Sequence, residues 1–323
     1  MGNQCNHAEI NDNEFKSVQI EDESDSFLVY KFDPKIHFLN SSDLGKFQSL
    51  DSLNSTKSQF HERVKKVPFN LKLHRKRTLH YESIHDSQAQ SPTTQVTEYF
   101  EYPNGVYQGQ LMDGKREGQG QFFYHDGSYF KGTWKNDMAN GQGKIKFQEG
   151  EQYEGEFKND QQHGFGKYIS NQLKYEGQWK ENLPSGHGIE IYNKYYFYEG
   201  DFQNGMKHGK GKIIWYKDDS RYEGEFSDNQ INGQGTYYFG DGEIYEGQFK
   251  EGYMHGFGRF TWPNDNKYEG NYNMGRKQGF GIFTSKDKVY SGEWYDGVYH
   301  GYGKLENKEK VIEGYWENGV FIK

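Results

Sequence analysis

The chain has 323 residues, with 47 Asp and Glu against 39 Lys and Arg, a net charge of −8 that argues against a general nucleic-acid binder and its basic footprint. Its 27 Tyr, 24 Phe and 6 Trp sit within only 32% apolar residues, so the aliphatics of an ordinary core are scarce, while Gly reaches 41. No apolar run is long enough for a transmembrane helix, no apolar stretch follows Met1 as in a secretory signal, and a single cysteine, Cys5, excludes a disulfide framework or a Cys-cluster zinc site.

The N-terminus reads Met1-Gly2-Asn3-Gln4-Cys5-Asn6. Gly2 is the obligatory acceptor for N-myristoylation once Met1 is removed, and Cys5 sits where a palmitoyl chain is added. Asn6 stands where the usual pattern has Ser or Thr. One myristoyl chain holds a protein only marginally, so a second signal is needed for stable anchoring. Residues 1–33 carry two lysines against eight carboxylates, whereas residues 57–77 carry eight Lys and Arg against Glu62 alone. Within that basic run Lys65, Lys66, Lys72, Arg75, Lys76 and Arg77 are candidates for contact with anionic lipid, each worth about 1 kcal/mol near a membrane surface. The same charges could equally neutralise acidic repeats in cis. Leu44, Phe47, Leu50 and Leu53 suggest a short helix, and Val67, Phe69, Leu71 and Leu73 alternate as in a strand. Residues 1–96 are expected to be mostly disordered with one or two docking elements.

Thr97–Tyr102 reads as a lone strand that starts a meander. From there the chain repeats: aromatic-x-Gly-x-aromatic, a turn, then Gly-x-Gly. The leading positions are Tyr107, Phe130, Tyr153, Tyr175, Tyr198, Tyr222, Tyr245, Tyr268, Tyr290 and Ile312, spaced 22 to 24 residues apart. Each unit has the alternation of a β-hairpin. In Tyr245-Glu-Gly247-Gln-Phe249 the rings and the glycine share one face and the polar residues take the other. A ring lying over bare glycine backbone compensates for the missing side chain.

The pattern resembles the MORN repeat family, whose units read Tyr-x-Gly-x-Trp/Phe, turn, Gly-x-Gly-x-aromatic. Tyr175-Glu-Gly177-Gln-Trp179 and Tyr290-Ser-Gly292-Glu-Trp294 are close matches. The resemblance covers about 98–323 and implies an all-β fold: an elongated, twisted antiparallel β-meander of about ten hairpins over residues 97–323, on the order of 90 Å long. It also implies a shallow aromatic groove. A single sheet cannot cover both its faces, so part of the aromatic stripe is expected to be exposed and to bind a protein partner as a helix or extended segment. The groove candidates are Tyr153, Phe157, Tyr175, Trp179, Tyr198, Phe202, Tyr222, Phe226, Tyr245, Phe249, Tyr268, Tyr290 and Trp294.

No catalytic residue, metal site or cofactor is expected. His163, His208, His255 and His300 recur two units apart, roughly 19 Å along a sheet, too far to share an ion. No Gly-x-Gly completes a phosphate loop. The carboxylates recur on the outward face of every unit, so none stands out as an acid or base. The expectation is a non-catalytic scaffold, tethered to a cytoplasmic membrane face by acylation and binding a partner through the groove. The alternative is a soluble ciliary or cortical cytoskeletal protein without lipid. A regulatory subunit of a lipid kinase, suggested by kinases that carry MORN repeats, is a weaker fit. The edge near Gly314-Tyr315-Trp316 is expected to offer a tail-to-tail homodimer contact.

Overall fold

The computed structural model describes residues 76–84 and 93–323. These residues form 22 strands in one antiparallel sheet, and each strand pairs with the one before it and the one after it. The all-β meander expected from the repeats is what the chain adopts. The sheet starts upstream of the boundary placed at 97. Strand β1 (Lys76–Ile84) pairs with β2 (Thr93–Tyr102) along its whole length, from Lys76 opposite Glu101 to Ile84 opposite Thr93. Lys76 and Arg77 therefore belong to the sheet. The lone first strand expected at Thr97–Tyr102 is the second half of β2, and it has a partner. The candidate helix at 44–53, the alternating run at 67–73 and the expected disorder lie outside the described residues.

The repeats begin with β3 (Gly105–Met112) and β4 (Lys115–Tyr124) and end with β21 (Val311–Glu317) and β22 (Val320–Phe321). Every hairpin closes through two residues at positive φ, such as Asn136 and Asp137, Asn159 and Asp160, or Met274 and Gly275. This is the primed turn whose twist matches that of the flanking strands, and the Asn, Asp and Gly at these positions tolerate it.

Each hairpin also bends. In the second unit Gly132 faces Gly143 and Trp134 faces Ala139, so three residues on one strand oppose one on the other. The bulged Gly141 has φ +103°, and the first glycine of every Gly-x-Gly takes the same left-handed region. A side chain there would be strained, which explains why this glycine never varies. The bend carries the hairpin tip back over the inner face. The turn of each unit then bonds to the preceding one: Asp160 N–H donates to Ala139 C=O at 3.0 Å, Asn182 N–H to Gln162 C=O at 3.0 Å and Asn229 N–H to Lys207 C=O at 2.9 Å. The turn side chains return the bond. Asp160 Oδ1 accepts from Ala139 N–H at 2.6 Å, and Asn182 and Asn229 do the same one unit and three units on. Neighbouring units are thus locked at their tips as well as along their strands.

Candidate functional site

The inner face is a closed core. All thirteen groove candidates are buried, from Tyr153, Tyr198, Tyr222, Tyr245, Tyr268 and Tyr290 at 0% exposed to Trp294 at 6%, with Phe157, Tyr175, Trp179, Phe202, Phe226 and Phe249 between. The expected groove is therefore not a binding surface. The bent tips supply the second layer that a flat sheet lacks, and the rings supply the rest. Each leading tyrosine lies over the glycine pair of its own hairpin. A Cβ added at Gly155 or Gly166 would overlap the backbone opposite or the Tyr153 ring. The tyrosine hydroxyl donates to the backbone carbonyl three residues on, as Tyr153 does to Glu156 at 2.9 Å and Tyr245 to Gln248 at 2.9 Å.

The fifth residue of each motif stands edge-on to the tyrosine of its own unit and to that of the unit before. Trp179 packs at 5.0 Å on both Tyr153 and Tyr175, and Phe202 at 5.1 and 5.2 Å on Tyr175 and Tyr198. The ladder continues through Phe226, Phe249, Tyr272, Trp294 and Trp316. Edge-to-face pairs contribute about 0.5–1.5 kcal/mol each beyond the area they bury. Burial pushes the phenols up, Tyr290 to about 12 and Tyr153 and Tyr245 further, so they stay protonated donors.

Three cations penetrate this core from the tip side. Arg116 lies 4.1 Å over the Trp134 ring and pairs with Asp137. Lys207 bonds to Glu190 at 2.5 Å and to the Tyr196 hydroxyl at 3.1 Å, and Tyr196 donates to the same Glu190 oxygen at 2.8 Å. Glu190 occupies the column held elsewhere by Phe122, Ile145, Tyr168, Ile213, Tyr237 and Phe260. This inward carboxylate departs from the rule that carboxylates face outward, and its place in an otherwise apolar column was a readable signal. Lys277 sits 4.8–4.9 Å from the centres of Trp262, Tyr268 and Trp294, with no ion-pair partner within 4.0 Å among the described residues. Burial lowers its pKa to about 8.

The outer face divides into two regions. Across the first two-thirds it is charged, with cross-strand pairs Lys144–Glu154 at 2.9 Å, Lys167–Glu176 at 3.4 Å and Lys212–Glu223 at 3.3 Å. In the last units the middle residue of Gly-x-Gly becomes aromatic. Phe257 is 60% exposed, Phe280 56%, Tyr302 48%, and Tyr315 on the next strand 53%. They follow one another across β16 (Tyr253–Thr261), β18 (Arg276–Thr284), β20 (Val298–Asn307) and β21, about 9.6 Å per two strands. Tyr302 and Tyr315 pack edge-on at 5.5 Å, and Ile282 extends the patch. None of these was among the groove candidates. The signal was an aromatic between two glycines, which the repeat pattern allows but does not require.

Gly2, Cys5, Lys65, Lys66, Lys72 and Arg75 lie outside the described residues. The edge expected at Gly314-Tyr315-Trp316 is occupied by the chain itself. Trp316 pairs with Phe321, Tyr315 N–H donates to Lys323 C=O at 2.6 Å, and Ile322 N–H donates to Tyr315 C=O at 2.8 Å. Among the described residues, no three His, Cys, Asp or Glu side chains gather as metal ligands. No described helix is long and apolar enough to cross a membrane.

The MORN repeat family model matches nine tandem segments: 107–129, 130–152, 153–172, 175–195, 198–220, 222–244, 245–267, 268–288 and 290–307. The tenth unit, led by Ile312, falls outside them. No curated protein matches the chain significantly. MORN arrays are generally interaction modules for proteins or membranes, and the family is typically non-catalytic. With nine matched units covering more than half of its length, the chain belongs to the MORN repeat family.

Proposed function

We propose that this protein is a non-catalytic scaffold, held at the cytoplasmic face of a membrane by N-terminal acylation, that presents its repeat array to a protein partner. The observation that supports it best is the outer aromatic row of Phe257, Phe280, Tyr302 and Tyr315 on a chain whose other rings are almost all used in the core. A contiguous exposed apolar patch marks an interaction site. The occupant that fits is an amphipathic helix of the partner lying across the strands. Seven helical residues rise about 10.5 Å, close to the two-strand spacing of roughly 9.6 Å, so apolar residues every seventh position meet successive rings. Gly2 takes the myristoyl chain and Cys5 the palmitoyl chain. The basic run adds attraction to anionic lipid.

Asn6 favours a second reading, a cytoskeletal or ciliary element with the same partner face and no lipid. Metabolic labelling with alkyne-myristate and membrane fractionation separate the two. In the first reading the parent labels and pellets, Gly2→Ala turns soluble, and Phe280→Ser/Tyr302→Ser pellets like the parent but loses its partner. A parent that takes no label and fractionates like Gly2→Ala removes the membrane tether.

A further inference from the structure

The outer face carries one glutamate per unit at the position after the leading tyrosine. Glu154 lies on β7 (Gln152–Lys158), Glu176 on β9 (Leu173–Lys180), Glu199 on β11 (Tyr196–Gln203) and Glu223 on β13 (Arg221–Ser227). Their side chains are between 46% and 66% exposed. Successive glutamates are two strands apart, about 9.6 Å. The negative charge of the array is concentrated in the same stretch. Residues 147–230 hold 15 Asp and Glu against 10 Lys and Arg, whereas residues 98–146 hold 6 of each.

The basic run has a matching period. Every third residue from 57 to 75 is a cation or a phenylalanine: Lys57, Phe60, Arg63, Lys66, Phe69, Lys72, Arg75. A polyproline II backbone turns once in three residues and rises about 9.3 Å per turn. In that conformation these side chains would share one side, with nearly the spacing of the glutamates.

The point of attachment fixes the alignment. The run enters the sheet at Lys76, opposite Glu101 near the end of β2. That is the edge formed by the loops between units, which also lies nearest the glutamate column. Stepping two strands for every three residues from Arg75 at β1 places Lys72 over β3 and Phe69 over β5 (Tyr129–Lys135), whose residue in this row is Lys131. Lys66 then falls on Glu154, Arg63 on Glu176 and Lys57 on Glu223. The one lysine in the row thus meets a phenylalanine, and the glutamates meet cations.

We infer that residues 57–75 lie as an extended strap across the outer face of the sheet, with Lys66, Arg63 and Lys57 seated on Glu154, Glu176 and Glu223. The consequence rests on the membrane reading above: cations seated on glutamates are not available to anionic lipid, so the strap and the membrane compete for the same run.

Zero-length carbodiimide coupling of the full chain, in which a lysine amine and a carboxylate form an amide with loss of water, tests the contact. In the monomer fraction, peptide mass spectrometry should find Lys66–Glu154 and Lys57–Glu223 links, and these should fade at about 0.5 M salt, where screening shortens to roughly 4 Å. Absence of links from this run to the outer glutamates overturns the strap. So do links confined to a dimer fraction, which would place the run on a second copy. The triple variant Glu154→Gln/Glu176→Gln/Glu223→Gln then tests the competition. It should bind phosphatidylcholine vesicles containing about one-fifth phosphatidylserine on the order of fivefold more tightly than the parent, as expected from removing three exposed ion pairs. Equal binding overturns the competition. If neither protein binds vesicles, the membrane reading fails and the cross-links alone decide the strap.

Discussion

The inner and outer faces of the last units contain the same kind of residue in opposite circumstances. Tyr245 and Phe249 are buried beneath the bent hairpin tips, while Phe257, on the strand paired with theirs, is 60% exposed. Both faces alternate along one backbone, so ring chemistry is not what separates core from surface. The bulge at the first glycine of Gly-x-Gly curls every hairpin toward the same side and covers only that side. An aromatic on the inner face is therefore structural in every unit, and one on the outer face is free to serve recognition.

The sharpest test of this contrast is truncation on the two faces. Tyr245→Ala should cost about 3–5 kcal/mol, because it leaves a cavity in the ladder and removes the phenol that covers Gly247 and Gly258. Phe257→Ala should stay within roughly 0.5 kcal/mol. Denaturant unfolding of both variants reads the difference, and equal losses would mean that the outer ring is also core.

A smaller effect is expected at Lys277. Its pKa falls from 10.5 to about 8 on folding because burial disfavours the charge, and the surrounding rings return part of that cost. Met254 occupies the same place one unit earlier without a charge. Lys277→Met should therefore stabilise the protein by about 1–2 kcal/mol at pH 7. A base with a depressed folded pKa costs most while it is protonated. The gap between parent and variant should therefore narrow as pH rises from about 8 toward 10.5. A gap independent of pH would place the effect in packing alone.

Asp160 should give the smallest change. Burial raises its pKa from 3.8 to about 6, although it accepts the Ala139 N–H. Asn182 and Asn229 make the same bond without a charge. Asp160→Asn should add about 1 kcal/mol at pH 7, after allowance for its partial exposure. Because the folded pKa is the higher one, the cost is present above pH 6 and disappears as pH falls through 6 toward 4. Thermal unfolding of both proteins between pH 4 and pH 7 checks the sign.

Much of the fold was legible before the structure. The spacing of the leading aromatics, the two-residue alternation and the Asn-Asp and Asn-Gly turns gave the hairpins, their number and their order. The start of the sheet was not legible. Residues 76–84 carry no glycine and no repeat, and only their pairing with β2 identifies them as a strand. The binding face was misread because an amphipathic strand shows which residues share a face but not what covers that face. The thirteen groove candidates share a face, and the bent tips cover it. Phe257, Phe280 and Tyr302 were visible as aromatics between glycines, yet without the bend there was no reason to rank the outer face above the inner one.

The sequence by itself determined a tandem MORN array: an antiparallel meander whose glycines and rings recur every 22 to 24 residues, since these patterns are local and each unit repeats them. Only the tertiary structure decided which aromatics form the core. That choice depends on the left-handed bulge glycines, on turns that bond to the preceding unit, and on rings that pack edge-on across units. All of these are contacts between residues a full repeat apart, and they turn one face of a single sheet into an interior and leave the other to solvent.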